Sequence, residues 1–303
     1  MNKNMKENFE KLNSRIKYSL ENSDLERINY ELNKISTPTL VSGVGGSSVV
    51  SEYTSKILSN KNNIITKNIE PRDILYINEK LYNNIISCSY SGNNYGVEIS
   101  FLNNLKHYLL SYNKNDDNDI INLNYNIDEK EKSFISLSST LIPCGILLNY
   151  YIDNKDLIIE NTKEYDFNFD TNCDAYEIFT GIESSTISKY LESTMIESGI
   201  GVPIIHDKYS YCHGRSTIST TMNNNAIYIK YDNELDKLLL EELPKYYKNV
   251  IVLDSNNNPL DEYILLVKSM YLTKYIAENK NKDLSNVEYN PITKKLYKYR
   301  GNM

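Results

Sequence analysis

Thr39-Leu40-Val41-Ser42-Gly43-Val44-Gly45-Gly46-Ser47-Ser48, continuing as Val49-Val50-Ser51-Glu52-Tyr53-Thr54-Ser55-Lys56-Ile57-Leu58, is the stretch on which the fold turns. Four residues of strand character run into Gly43, Gly45 and Gly46, and the chain then takes up a helical pattern. Strand, tight turn and helix in that order open a βαβ unit, which calls for a parallel sheet covered on both faces. The glycines let the backbone turn sharply and approach a ligand, and the first N–H groups of the helix point at whatever sits there. Ser47 and Ser48 add hydroxyl donors. No Gly-Lys-Ser/Thr follows, so the turn is not a Walker phosphate loop. Taken by itself, it serves equally as a βα connection without a ligand.

Working outward, residues 1–36 read as an N-terminal helical segment, with apolar positions at Phe9, Leu12, Ile16, Leu20, Leu25, Ile28 and Leu32. Strand-type runs recur at 64–66, 84–89, 107–110, 120–123 and 134–137, with helices expected over 47–58 and 94–105. A further helix is expected after Pro143-Cys144-Gly145. Residues 37–152 thus form a first α/β subdomain, and the polar, acidic stretch 153–174 reads as a connector. Residues 175–303 resume the alternation, with strands at 177–180, 226–230 and 250–253 and helices at 187–198, 233–243 and 260–280. The expected architecture is α/β, with two mainly parallel sheets flanked by helices.

Composition narrows the function. The 303 residues carry 33 Lys+Arg against 40 Asp+Glu, a formal net charge of −7, and 40% are apolar. That length can bury a real core. The acidic balance lacks the basic clusters that a nucleic-acid backbone needs. No apolar run approaches the roughly 20 residues that span a bilayer, and Met1-Asn2-Lys3-Asn4 is not a signal peptide. A soluble, cytoplasmic protein with no nucleic-acid or membrane partner is expected. The sequence has 27 Tyr and no Trp, so buried tyrosines must find partners for their hydroxyls. Cys88, Cys144, Cys173 and Cys212 are too dispersed for a zinc or redox motif, although Cys212 beside His213 leaves a nucleophilic thiol as a second reading.

A second loop repeats the first one's chemistry. Ser89-Tyr90-Ser91-Gly92-Asn93-Asn94 follows the 84–88 strand, and its hydroxyls precede a helix start. Two such loops in one parallel sheet can share a crevice beyond the carboxyl ends of the strands, where an anion would sit. The competing reading is a polar turn with an Asn cap.

Gly43-Val44-Gly45-Gly46-Ser47 together with Ser89-Tyr90-Ser91-Gly92-Asn93 resembles the two phosphosugar loops of sugar isomerase (SIS) domains, specifically of the bifunctional phosphoglucose/phosphomannose isomerase family. The likeness extends to Ile142-Pro143-Cys144-Gly145, Glu197, His213 and Lys294. The resemblance implies that Gly46, Ser47, Ser48, Ser89, Ser91 and Asn94 bind the sugar phosphate. It implies that Glu197 moves a proton between C1 and C2, and that His213 and Lys294 assist ring opening. It also implies a homodimer with the active site at the interface and the histidine arriving from the partner chain. No metal and no cofactor are required by this scheme. Lys295 competes with Lys294 at one residue of slippage, and both lie in a basic cluster with Lys298 that reads equally as a solvated face.

Glu197 ends an apolar helix, where partial burial is expected to raise its pKa toward neutrality. Without the resemblance it reads as a solvated helix carboxylate, and His213 as a structural histidine. The family has Thr where this chain has Asn94, and an arginine at a position that falls on or near Asn149. Losing such a charge-stabilising donor costs about 2.7–4 kcal/mol, and Arg215 is the candidate substitute. The expected activity is a metal-independent interconversion of fructose 6-phosphate with glucose 6-phosphate or mannose 6-phosphate. The alternatives are a non-catalytic phosphosugar sensor and an isomerase of a modified hexose phosphate.

Overall fold

The computed structural model describes residues 3–287; Lys294, Lys295 and Lys298 lie outside them. The N-terminal segment is three short helices rather than one: α1 (Lys3–Glu10), α2 (Leu12–Asn22) and α3 (Leu25–Asn33). Asp24 separates the last two because its side chain accepts the backbone N–H of Arg27 and so starts a new helix.

The first sheet is built from β1 (Thr39–Ser42), β2 (Thr66–Ile69), β3 (Asn84–Cys88), β4 (Lys106–Ser111) and β5 (Ile120–Asn124). They lie in the order β2-β1-β3-β4-β5, every pair parallel. Helix α4 (Gly46–Asn62) crosses from β1 to β2, and the shorter α5 (Tyr95–Ser100) from β3 to β4. α6 (Ser138–Ile152) and α7 (Lys155–Asn161) follow, α7 lying inside the stretch read as connector.

The second sheet takes β6 (Tyr176–Thr180), β7 (Pro203–Asp207), β8 (Asn225–Lys230) and β9 (Val250–Asp254) in the order β7-β6-β8-β9, again all parallel. α8 (Ser185–Ser198) joins β6 to β7. The short α9 (Lys208–Tyr211) follows β7, α10 (Glu234–Glu242) follows β8, and α11 (Pro259–Asn279) follows β9. β7, unmarked in the sequence reading, is an edge strand that opens with Pro203, a residue tolerated only at such positions.

β1, β3 and β6 are buried along their whole length, as continuous apolar strands in a two-sided parallel sheet must be. α4, α6, α8 and α11 pack on one another, α4 against the first sheet and α8 and α11 against the second, so one apolar core runs through both halves. Some buried tyrosines find the partners their hydroxyls need, while the hydroxyl of buried Tyr125 has none among the described residues. Tyr53 donates to the Pro259 carbonyl at 2.8 Å, and the Tyr263 hydroxyl lies 3.1 Å from that of Thr162. Among the described residues no helix is long and apolar enough to cross a membrane.

Residues 134–137, read as a strand, are instead the approach to α6, because Glu131 captures the backbone there.

Candidate functional site

The neighbours β1 and β3 have their onward strands on opposite sides, so the sheet order reverses between them. A parallel sheet opens a crevice outside its carboxyl edge at such a point. The 43–46 turn and the 89–94 loop stand on its two sides. Gly45 caps α4 at φ 58°, ψ −131°, a conformation open essentially to glycine alone. The two loops touch: a Cβ added to Gly96 would meet Val44 Cγ2 at 2.9 Å and Asn94 Oδ1 at 3.1 Å. Behind them, the buried hydroxyls of Ser42 and Ser100 meet at 2.7 Å.

The second loop is both a cap and a cradle. Asn94 Oδ1 accepts Val97 N–H at 3.0 Å as the α5 cap, and its Nδ2 donates to Ser89 Oγ at 3.0 Å. The same oxygen accepts Gly92 N–H, also at 3.0 Å. Buried Ser89 is therefore held as an acceptor, and its own O–H proton has no protein acceptor among the described residues. The hydroxyls of Ser47, Ser48 and Ser91 are half-buried and make no hydrogen bond among the described residues.

A third wall was missed in the sequence. Ser136 lies where a side chain on Gly46 would have to go, and Thr140 Oγ1 is 3.4 Å from that Cβ position. Thr140 is fully buried, yet its hydroxyl has no partner among the described residues. The Glu131 carboxylate holds this wall by accepting Leu137 N–H at 3.0 Å, Ser138 Oγ at 3.1 Å and Ser139 N–H at 2.8 Å. Burial pushes the Glu131 carboxyl above its ordinary range against those bonds. The available signal was Ser136-Leu137-Ser138-Ser139-Thr140 ahead of an apolar run, a helix-start composition that the strand assignment hid.

Two expectations are corrected by this wall. The helix expected after Pro143-Cys144-Gly145 already starts at Ser138, so Ile142-Pro143-Cys144-Gly145 lies inside α6 and every residue of it is buried. Asn149 is 4% exposed near the far end of α6, about 16 Å along the helix from Ser138 at 1.5 Å per residue. The start of α6 and the residues leading into it, Ser136–Thr140, lie against Gly46 and carry hydroxyls instead of a cation.

Glu197 stands in the last turn of α8, which packs on α4. Glu52 on α4 accepts Ser185 Oγ at 2.6 Å and lies 3.5 Å from Lys189 Nζ, while Lys56 Nζ, one turn further on, donates to the Glu183 carbonyl at 2.9 Å. Advancing along α4 moves backward along the chain toward the start of α8. The helices are thus antiparallel, and the last turn of α8 runs back toward the first turn of α4. The expected partial burial of Glu197 does not occur: it is exposed, and Ser193 Oγ donates to it at 2.6 Å. Glu197 lies on the solvent face of α8 with Glu192 and Ile196, while Met195 and Ser198 turn into the core.

His213 and Arg215 lie elsewhere. α8 ends at the amino edge of the second sheet, β7 returns to the carboxyl edge, and His213 follows in the exposed turn after α9. The five residues of β7 span about 13 Å, so one protomer holds Glu197 and His213 at opposite ends of that strand. Arg215 is not a free cation. Its Nε donates to His206 Nδ1 at 3.0 Å and its Nη2 to the Ile205 carbonyl at 2.8 Å, because the helical turn that begins there folds back on β7.

No protein-family model matches the chain, and no curated protein matches it. Solved structures do. Glucosamine-6-phosphate deaminase of Thermotoga maritima superposes with a TM-score of 0.72 at 14% identity, over 94% of this chain and 98% of that one. Tagatose-6-phosphate ketose/aldose isomerase of Escherichia coli gives 0.72 at 13% identity, over 95% and 96%. The C-terminal domain of glucosamine-fructose-6-phosphate aminotransferase of Francisella tularensis gives 0.69 at 11%, over 94% and 98%. The chain has the sugar isomerase fold.

In this sugar isomerase fold the β1/β3 crevice is lined by neutral donors. The charges nearby are already balanced. Burial pulls the Glu52 carboxyl upward, but hydrogen bonds from Ser185 and Asn68, with Lys189 and Lys56 close by, outweigh it and hold the pKa below its ordinary value. Lys56 Nζ also pairs with Glu262 at 2.5 Å. Burial pushes the Cys88 thiol up to about 12 and also raises that of Cys144, while Cys212 is exposed beyond β7. Hydroxyl donors around a helix N-terminus suit an anion that carries its own hydration-grade acceptors, such as a phosphomonoester.

Proposed function

We propose that the protein is a sugar-phosphate isomerase interconverting fructose 6-phosphate with glucose 6-phosphate or mannose 6-phosphate without a metal. The observation that carries this reading is the third wall. Thr140 keeps a buried, unpartnered hydroxyl beside Gly46, in a crevice where Ser47, Ser48 and Ser91 also hold unspent donors. Leaving a buried hydroxyl unpaired costs roughly 1–3 kcal/mol, a cost that a bound phosphate or sugar oxygen would offset.

In this proposal Gly46, Ser47, Ser48, Ser89, Ser91 and Asn94 hold the phosphate, joined by Ser136 and Thr140. Glu197 removes the proton from C2 of the open aldose. The C1–C2 double bond forms and the carbonyl electrons move to O1; the O2 hydroxyl proton passes to O1, and Glu197 returns its proton to C1 as the O2 carbonyl of the ketose forms. The overall change is a redistribution of hydrogen within one molecule. His213 assists ring opening from a second copy of the chain, since its own protomer keeps it a strand's length from Glu197. Lys294, which lies outside the described residues, assists ring opening with His213, and Arg215, the candidate stabiliser of the enediolate, is held by His206 in the single protomer.

The test is a coupled assay of the purified protein on several hexose 6-phosphates in excess EDTA. Turnover that survives EDTA, with one phosphate preferred, is the expected result. No turnover on any of them would overturn the proposal.

A further inference from the structure

Behind β7, on the face of the second sheet away from the shared core, a chain of buried polar groups reaches from the sheet to the His213 turn. Glu177 on β6 and His206 on β7 are 0% and 1% exposed, and His206 Nε2 lies 2.7 Å from Glu177 Oε2. The same Glu177 oxygen accepts Tyr247 O–H at 2.7 Å, and Oε1 accepts Asn224 Nδ2 at 2.6 Å. On its other side, His206 Nδ1 faces Arg215 Nε at 3.0 Å. An arginine Nε can only donate, so Nδ1 is an acceptor and the imidazole is neutral with its proton on Nε2, given to Glu177.

Burying a carboxylate this deeply costs several kcal/mol unless its oxygens are satisfied. Here they are. Burial drives the Glu177 carboxyl upward, but the bonds from His206, Tyr247 and Asn224 together outweigh it and keep the pKa below its ordinary value. The network has a second arm to the same turn: the Tyr211 hydroxyl lies 2.8 Å from Ser219 Oγ and 3.1 Å from the Tyr247 hydroxyl. Tyr211 precedes His213 by two residues and Arg215 follows it by two. Both flanks are therefore tied to Glu177, one through Tyr247 and one through His206. Between them, Gly214 turns at φ 92°, and the His213 side chain is left exposed.

We propose that Arg215, His206 and Glu177 are positioning residues that hold the 212–214 turn in one conformation, so that His213 projects outward ready for the crevice of a second copy. This role rests on the isomerase reading for its purpose, but the latch itself does not. A histidine that acts across an interface cannot be located by its own protomer's active site. Its geometry must be fixed before the two copies meet, and a misplacement of about 1 Å can cost about 10²-fold in rate.

The test uses the full chain labelled with 15N-histidine, in which only His107, His206 and His213 contribute. His206→Asn identifies the His206 signals. The expected wild-type pattern for His206 is an unprotonated Nδ1 and a protonated Nε2. Arg215→Ala is expected to shift and broaden the His213 signals, and to lower isomerase kcat by about 10- to 100-fold with KM for the sugar phosphate unchanged. Arg215→Lys, which restores a donor, is expected to recover part of both. A His206 protonated on Nδ1, or His213 signals indifferent to Arg215→Ala, would overturn the latch. The latch signature in a wild type with no turnover on any hexose phosphate overturns the isomerase reading and leaves the latch standing. If Arg215→Ala fails to fold, the tautomer of His206 in the wild type still decides.

Discussion

Ser136 occupies the space that any side chain on Gly46 would need, and this pair closes the crevice between the first turn of α4 and the approach to α6. Loop, helix start and loop meet there with no room for one more methyl group. Gly46→Ala is expected to push Ser136 and Thr140 outward, at a stability cost of about 1–3 kcal/mol for overpacking. It should also abolish the thermal shift that fructose 6-phosphate gives the wild type. A mutant that keeps both the stability and the shift would show that the third wall is not part of the binding site.

Glu197 is exposed and bonded only to Ser193 among the described residues, so its replacement tests chemistry almost free of folding effects. Glu197→Gln is expected to lower isomerase kcat by about 10²–10⁴-fold, the usual worth of a positioned proton carrier. Its stability should stay within about 0.5 kcal/mol of the wild type. Equal turnover in the two proteins would remove Glu197 from the mechanism.

The separation of Glu197 from His213 along β7 makes a prediction about mixing. Glu197→Gln and His213→Ala homodimers should each be nearly inactive. After subunit exchange, half of the dimers would be mixed, each with one intact site of two, so activity should return to about a quarter of the wild-type value. No recovery after exchange is confirmed would mean that each protomer uses its own histidine, or none.

Glu177 supplies a pH dependence whose sign follows from its depressed pKa. The unfolded carboxyl takes up its proton near the ordinary value of 4.5, and the folded one only at lower pH. Its stabilisation is therefore fully present above about pH 4.5 and is lost as the pH falls toward the folded value. Glu177→Gln should be less stable than the wild type at pH 7, and should lose stability less steeply on acidification below pH 4.5. Urea titrations across pH 3–7 measure the difference, and parallel curves would contradict it.

Much of the fold was legible because local rules suffice for it. The 39–58 stretch is read correctly from glycines and periodicity alone, since a parallel strand, a tight turn and a crossover helix each have a pattern carried by neighbouring residues. The 89–94 loop shows why local rules also leave two answers open: Asn94 is the cap that a bland reading expects, and it is also bonded to Ser89 at the crevice. The 134–137 segment was misread because Ile and Phe have strand character, and what decides against a strand is Glu131, whose carboxylate takes the backbone N–H groups a ladder would need.

The sequence by itself determined the two parallel sheets and the hydroxyl-rich loops at the β1/β3 crevice. Those are announced by patterns that neighbouring residues carry, although the strand pairings themselves join residues far apart in the chain. Only the tertiary structure decided how these elements lie against one another. Antiparallel packing of α4 on α8 points the last turn of α8 toward the end of α4 that starts at Gly46, while α6 keeps Asn149 near its far end and Ser136 and Thr140 lie against Gly46. The direction of β7 sends His213 and Arg215 to the opposite edge. Arginine beside histidine in sequence suggested a spare cation; burial of Glu177 and His206 showed it to be spent, because a buried carboxylate and imidazole hold their neighbours far more firmly than an exposed pair could.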